Sequence, residues 1–128
     1  SLDLQRKVFL IPFTYEIKDW IIKSNIHVMT SIYEGSPNVL WEVSFLSRPS
    51  IVSSSINAAF EILKPGKDVI KYESGNIVDL ANKIDSLLVN NALSRSIGLN
   101  AKKSITCLTK SSNFDVWMKI LEVNKFNL

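Results

Sequence analysis

The chain of 128 residues carries a single cysteine, Cys107. One thiol can close no disulfide within the chain and can build no thiolate metal cluster. Its stability must therefore come from a packed core, and a reducing cytoplasm is the expected setting. No apolar run approaches the roughly 20 residues of a membrane-spanning helix, and the opening SLDLQRK lacks the layout of a signal peptide. Internal repeats, low-complexity tracts and linkers are missing too. Charge of neither sign is concentrated: the net +3 is spread along the chain, whereas nucleic-acid binding usually needs a clustered basic stripe. Such a mild excess suits an anionic ligand or an anionic membrane surface. With 46% apolar and 21% charged residues, the chain has the balance of a globular domain, long enough for one core and too short for two.

What is present is an alternation of short apolar runs and amphipathic stretches. Val8-Phe9-Leu10-Ile11, closed by Pro12, reads as a buried strand. Thr14 can cap a helix running to about residue 24, with Ile17, Trp20 and Ile21 on one face. A second strand is expected at 26–30. Glu34-Gly35-Ser36 makes a turn, Ser36 is a good N-cap, and Pro37 suits the first position of a helix that runs to about residue 46. Arg48-Pro49 ends it, and Ser50-Ile51-Val52-Ser53 is a third strand. A short helix at about 58–63 stops at Lys64-Pro65-Gly66, and 68–71 is a short fourth strand. Two longer helices follow. One is marked by Ile77, Leu80, Ala81, Ile84, Leu87 and Leu88, the other (about 92–106) by Leu93, Ile97 and Ala101. Ser112 and Asp115 resemble a capping box for a last helix bearing Phe114, Trp117, Met118 and Leu121. The expected organisation is one α/β domain over 1–110 with a C-terminal helix over 111–128.

Such a pattern implies a parallel sheet covered on both faces, and ligands of such sheets bind at the carboxyl ends of the strands. The stretch Ser31-Ile32-Tyr33-Glu34-Gly35-Ser36-Pro37-Asn38-Val39-Leu40-Trp41-Glu42 lies at one of those ends. It sets two carboxylates eight positions apart around a helix N-terminus. Free N–H groups and the helix dipole there favour a phosphate, and Gly35 allows close backbone approach. Pro37 removes one donor, which leaves Asn38 and Val39 as the better N–H donors. Two acids beside a phosphate pocket are reconciled if both accept hydrogen bonds from hydroxyls, the charge-assisted kind. A sugar, a diphosphate and a ribose diol, as joined in a nucleotide sugar, supply that pattern.

The same segment resembles the E-x7-E signature of family 4 glycosyltransferases, close to S-x-Y-E-G-x-P-N-x-L-x-E. The VFLIPF stretch, Pro49-Ser50-Ile51-Val52 and the closing helix with Phe114 and Trp117 agree in the right order. The resemblance implies the Rossmann-like, donor-binding C-terminal half of a two-domain GT-B enzyme, with its first strands missing and the acceptor domain outside this chain. It implies transfer of a sugar, with retention, from a nucleoside-diphosphate sugar to a glycan or lipid-linked acceptor, and polysaccharide biosynthesis as the setting. Neither metal nor other cofactor is expected.

Carried over by position, the resemblance makes Glu34 the catalytic-site carboxylate on the transferred sugar and Glu42 the ligand of the donor ribose. Gly35, Ser36, Asn38 and Val39 would border phosphate or sugar oxygens, and the segment with Leu10 and Pro12 would border the base. The sequence departs from the family in two respects. Ser55-Ile56-Asn57 stands where small glycines are common, and nothing corresponds to the Arg and Lys that neutralise the leaving diphosphate. Losing one preorganised donor commonly costs about 10²–10³ in rate, so the chain alone is expected to be inactive. The resemblance leaves room for peripheral association of the full enzyme with the inner face of the membrane, and an exposed sheet edge for oligomerisation.

Two other readings are compatible with the residues. One is a remnant or split-chain module that binds nucleotide weakly or packs against a partner. The other is a different phosphate-binding α/β domain indifferent to Glu34. His27 is read as a structural or surface residue, and Trp20, Trp41 and Trp117 as packing residues. Lys64, Lys67, Lys102 and Lys103 are read as solvated.

Overall fold

A computed structural model describes residue 4 and residues 7–109. The expected last helix, with Phe114, Trp117, Met118 and Leu121, and the 111–128 unit lie outside the described residues. Eight elements follow in order: α1 (Ile17–Lys23), β1 (His27–Met29), α2 (Asn38–Phe45), β2 (Ser50–Ser53), α3 (Asn57–Phe60), β3 (Ile70–Tyr72), α4 (Ile77–Val89) and α5 (Asn91–Thr109). The strands form a parallel sheet in the order β1-β2-β3, with Val28 opposite Ile51 and Ile51 opposite Ile70. This is the Rossmann-like arrangement expected from the alternation of elements.

All four residues of the central strand β2 are buried. Its alternation divides them between two cores, since successive side chains point to opposite faces. Ile51 packs with Tyr72 and Leu87, joined by Leu80, Ile84 and Leu93, and so lies against α4. Val52 packs with Leu40, Ile56, Ala59, Leu63, Val69, Ala101 and Ile105, which belong to α2, α3, α5 and their connections. A strand buried on both faces must be apolar at consecutive positions, which is why Ile51-Val52 reads as an unbroken run.

The ends of the elements show the local chemistry. Asn76 caps α4 by accepting from the Asp79 N–H at 2.9 Å and donates through Nδ2 to Glu73 Oε2 at 2.8 Å. Helix α2 ends in a Schellman motif, with Arg48 N–H on Val43 O (3.1 Å) and Ser47 N–H on Ser44 O (3.0 Å). Ser47 takes the left-handed conformation there, φ 59°. The carbonyl of the same residue lies against α5 at Gly98, where an added Cβ would sit 2.1 Å from Ser47 O. Glycine is required by that close approach.

Four expectations need correction. Val8-Phe9-Leu10-Ile11 is not a strand. The Val8 N–H turns back to Leu4 O at 3.0 Å, and Leu10 is 94% exposed. An apolar run becomes a strand only where a neighbouring edge takes its N–H and C=O groups, and β1 pairs only with β2 among the described residues. Thr14 receives the Glu16 N–H at 3.0 Å but does not cap α1, which begins at Ile17. Trp20 is half exposed, because Ile21 is the one residue of α1 that is buried. Finally, β3 starts at Ile70 and not at Asp68, which is buried at the turn before it and accepts from Lys64 N–H and Ser104 Oγ.

Candidate functional site

The carboxyl ends of the three strands converge on the loops that follow them, and the loop after β1 carries the motif. Glu34 is partly buried, and its Oε1 accepts a hydrogen bond from Ser31 Oγ at 3.0 Å. A serine three residues upstream thus holds one carboxylate oxygen without neutralising the charge. No cation contacts it among the described residues: Lys83–Asp79 is the one ion pair there.

The start of α2 differs by one position from the expected cap. Pro37 is buried and occupies the N-cap, and the helix begins at Asn38. Proline has no N–H to lose, but its carbonyl is free to accept, and it takes Leu40 N–H at 2.9 Å and Trp41 N–H at 3.3 Å. Ser36 does not cap. Its hydroxyl donates to Asn38 Oδ1 at 3.0 Å, and its carbonyl accepts the Asn38 N–H at 2.9 Å. Of the three N–H groups expected to face a ligand, that of Asn38 is therefore engaged internally. Those of Gly35 and Val39 meet no acceptor among the described residues. Gly35 is exposed, and a Cβ there would find no atom within 4 Å. This fold by itself does not demand glycine at that position.

Glu42 stands four residues into α2, about 6 Å along the axis from its first residue. It is exposed and lines a groove of about 500 Å³ with Lys18, Ile21, Trp41, Phe45, Leu46 and Ile105. Glu34 is not among the residues lining that groove. Asn38 and Glu42 share a helix face by their spacing of four. Leu10 and Pro12 are exposed in the segment before α1, and no hydrogen bond joins them to residues 31–42 among the described residues. The fold therefore brings Glu34, Gly35, Ser36, Asn38, Val39 and Glu42 to one strand end and one helix start, and does not tie Leu10 and Pro12 to them.

Residues outside the sequence motif complete the edge. Ser55 Oγ, in the loop after β2, donates to Ser31 O at 3.1 Å and lies 2.7 Å from Ser53 Oγ. Ser54 N–H donates to Tyr72 O at 2.8 Å, and Ser54 Oγ accepts Ser74 N–H at 3.0 Å. The three loops are thus fastened to each other by consecutive serines. Ser31 was legible from its place three residues before Glu34. The Ser55 bond was not, because it spans 24 positions and carries no local signal.

His27 precedes the site on β1, with Nδ1 3.3 Å from Ser50 Oγ, and burial lowers its pKa below the ordinary 6.5. It is a strand residue facing a neighbouring strand, as a structural histidine should be. Among the described residues no group of three or more His, Cys, Asp or Glu is arranged to hold a metal. No helix there is long and apolar enough to cross a membrane.

Residues 1–104 match the sequence model of a family described as Glycosyl transferases group 1. Among curated proteins, poly(ribitol-phosphate) alpha-N-acetylglucosaminyltransferase of Staphylococcus aureus (strain COL) is 28% identical over 103 residues, covering 80% of this chain and 21% of that protein. Among solved structures, TarM is 29% identical with a TM-score of 0.76, over 96% of this chain and 24% of TarM. The fold is also shared with Anabaena HepE in complex with UDP and glucose, at 19% identity and a TM-score of 0.80, over 95% of this chain and 33% of that one. The chain thus spans between about a fifth and a third of the length of these three proteins.

Proposed function

This chain belongs to the glycosyl transferases group 1 family, and from that premise we propose that it is the donor half-site of a retaining GT-B enzyme of the family 4 type. The donor is a nucleoside-diphosphate sugar, and the acceptor is a glycan or a lipid-linked glycan held by a domain beyond this chain. Membership removes the reading of an unrelated phosphate-binding domain. The observation that carries the proposal is Glu34, held through one oxygen by Ser31, beside the exposed Gly35 and the open N–H groups of Gly35 and Val39 at the carboxyl edge of a parallel sheet. The HepE structures support the ligand class, since those proteins are in complex with UDP-glucose, or with UDP and glucose.

In this reading the Glu34 carboxylate accepts hydrogen bonds from hydroxyls of the transferred sugar. Glu42 accepts from the ribose diol, two charge-assisted bonds that a neutral side chain could not match. The N–H groups of Gly35 and Val39 face phosphate or sugar oxygens, with the α2 dipole adding to their attraction. Gly35 leaves the space through which the donor approaches. Residues 10–13 border the base. The leaving phosphate departs on the face from which the acceptor attacks, so retention asks no base of this chain. No metal is called for, and the enzyme would work in the cytoplasm, at the inner face of the membrane where lipid-linked acceptors are met.

The second reading, a module that packs against a partner or a missing half, is favoured by the apolar residues left open in the segment before α1. Phe9, Leu10, Phe13 and Tyr15 are each more than 70% exposed. Co-expression with a chain carrying the missing half would then raise solubility sharply.

Calorimetric titration with UDP, GDP and their sugar conjugates tests the proposal. Glu42→Ala should weaken plain nucleotide by about ten- to a hundredfold, the loss of charge-assisted hydrogen bonds. Glu34→Ala should weaken the sugar conjugate and leave plain nucleotide nearly unchanged. Equal losses of both ligands in both variants, or no binding by a folded wild-type chain, would defeat the assignment.

A further inference from the structure

Four oxygen atoms, from the end of β2 and the loops after β1 and β2, stand in a row behind Glu34. Ser53 is fully buried, and its Oγ is 2.7 Å from Ser55 Oγ. Ser55 Oγ donates to Ser31 O at 3.1 Å, and Ser31 Oγ donates to Glu34 Oε1 at 3.0 Å. A hydroxyl has one proton to give. That of Ser55 goes to the Ser31 carbonyl, so the short contact with Ser53 is donated by Ser53. Every proton in the row points toward Glu34, and the row starts at a side chain sealed in the sheet.

We propose that Ser55 is a positioning residue for the donor sugar: by pinning the Ser31 carbonyl it fixes the Ser31 hydroxyl that orients the Glu34 carboxylate. The role rests on the donor-site reading and deepens it. The two serines orient Glu34 through neutral donors, so its full negative charge is kept for ligand hydroxyls. The second oxygen, Oε2, has no partner among the described residues. The site therefore selects a sugar that presents a hydroxyl donor to Oε2, and rejects the analogue deoxygenated at that carbon, because a site built for a hydroxyl loses affinity when the partner is missing. A residue without a hydroxyl at position 55 would leave the Ser31 carbonyl to water and let the loop after β1 turn away from the loop after β2.

The test is titration of wild type, Ser55→Ala and Ser55→Thr with UDP, UDP-glucose, GDP and GDP-mannose. Circular dichroism confirms that each variant is folded. Ser55→Ala should weaken the sugar conjugate that wild type binds by about two- to tenfold, the worth of one ordinary hydrogen bond, and leave its plain nucleotide unchanged. Ser55→Thr, which keeps the hydroxyl, should restore the conjugate. The Ser31 carbonyl ¹³C resonance should move in Ser55→Ala and return in Ser55→Thr, with or without ligand. Equal weakening of conjugate and nucleotide, failure of threonine to rescue, or an unmoved Ser31 resonance would overturn the positioning role while leaving the donor site standing. A folded wild type that binds none of the four compounds overturns the donor reading and this role together.

Discussion

Gly98→Ala tests the close approach of α5 to the turn that ends α2. In an exposed helix interior the change is favourable by about 1 kcal/mol, because alanine loses less backbone entropy than glycine. At position 98 the new methyl would stand 2.1 Å from Ser47 O and 2.8 Å from Ser47 C. A tolerable carbon–oxygen contact is about 3.3 Å, so helix and loop must part by roughly 1.2 Å. The atoms in the way are backbone, and they sit in the turn that ends α2. No side chain can rotate to make room. A retreat of that size opens the seam where Ala101 and Ile105 meet Leu40, and a gap of about 1 Å forfeits up to half of each contact's attraction. Overpacking typically costs about 1–3 kcal/mol and occasionally more. With backbone on both sides we take about 2–4, which leaves a net loss of roughly 1–3 kcal/mol after the propensity gain. At about 4 °C per kcal/mol for a chain of this size, Tm should fall by about 4–12 °C. Thermal melts and urea titrations of Gly98→Ala measure it, with the pair Ser96→Gly and Ser96→Ala reporting the propensity term at an exposed site on the same helix. A Gly98→Ala variant more stable than wild type by the Ser96 alanine-over-glycine difference would refute the close approach of α5 to Ser47.

Two further predictions follow from the same turn and from β1. Ser47→Gly should stabilise the protein by about 0.5–1 kcal/mol, since the left-handed conformation costs a non-glycine residue about 1–2 kcal/mol and glycine gives part of that back in the unfolded chain; an unchanged or lowered urea midpoint would mean that the serine side chain makes up the difference. His27 is held neutral by burial, with a folded-state pKa below the 6.5 of the unfolded chain. The unfolded state then takes up the proton first, so stability is complete above about pH 6.5 and declines as pH falls from there toward the folded value. His27→Asn should remove that part of the pH dependence in urea midpoints measured between pH 7.5 and 5, and an identical slope in wild type and variant would count against it.

The order of elements was legible because each depends on neighbours in the sequence. Consecutive apolar residues at Ile51-Val52, helical spacing from Ile77 to Leu88, and turn chemistry at Lys64-Pro65-Gly66 are local signals, and the structure places β2, α4 and the turn before β3 there. The site motif was legible for the same reason, since residues 31–42 form one loop and the start of one helix. Boundaries were read less well. Ser36 carries the cap signal and Pro37 that of a first helical position, yet the cap falls on Pro37, whose carbonyl takes two helix N–H groups. Asp68 opened the expected fourth strand, but it is buried in the turn before β3. The hydroxyl of Ser104, 36 positions away, helps to satisfy it inside.

Sequence alone determined the α/β alternation and a carboxylate-bearing, glycine-containing helix start at a strand end, since periodicity and motif spacing are properties of the covalent chain. Only the tertiary structure decided which apolar runs became strands, because pairing needs an edge that another segment supplies. Among the described residues it left Val8 to Ile11 outside the sheet and Trp20 half exposed. It also decided what Gly98 and Ser55 are for. One meets a backbone carbonyl from α2's terminal turn and the other a carbonyl 24 positions away, and such meetings exist only once the sheet has brought the ends of its connections together.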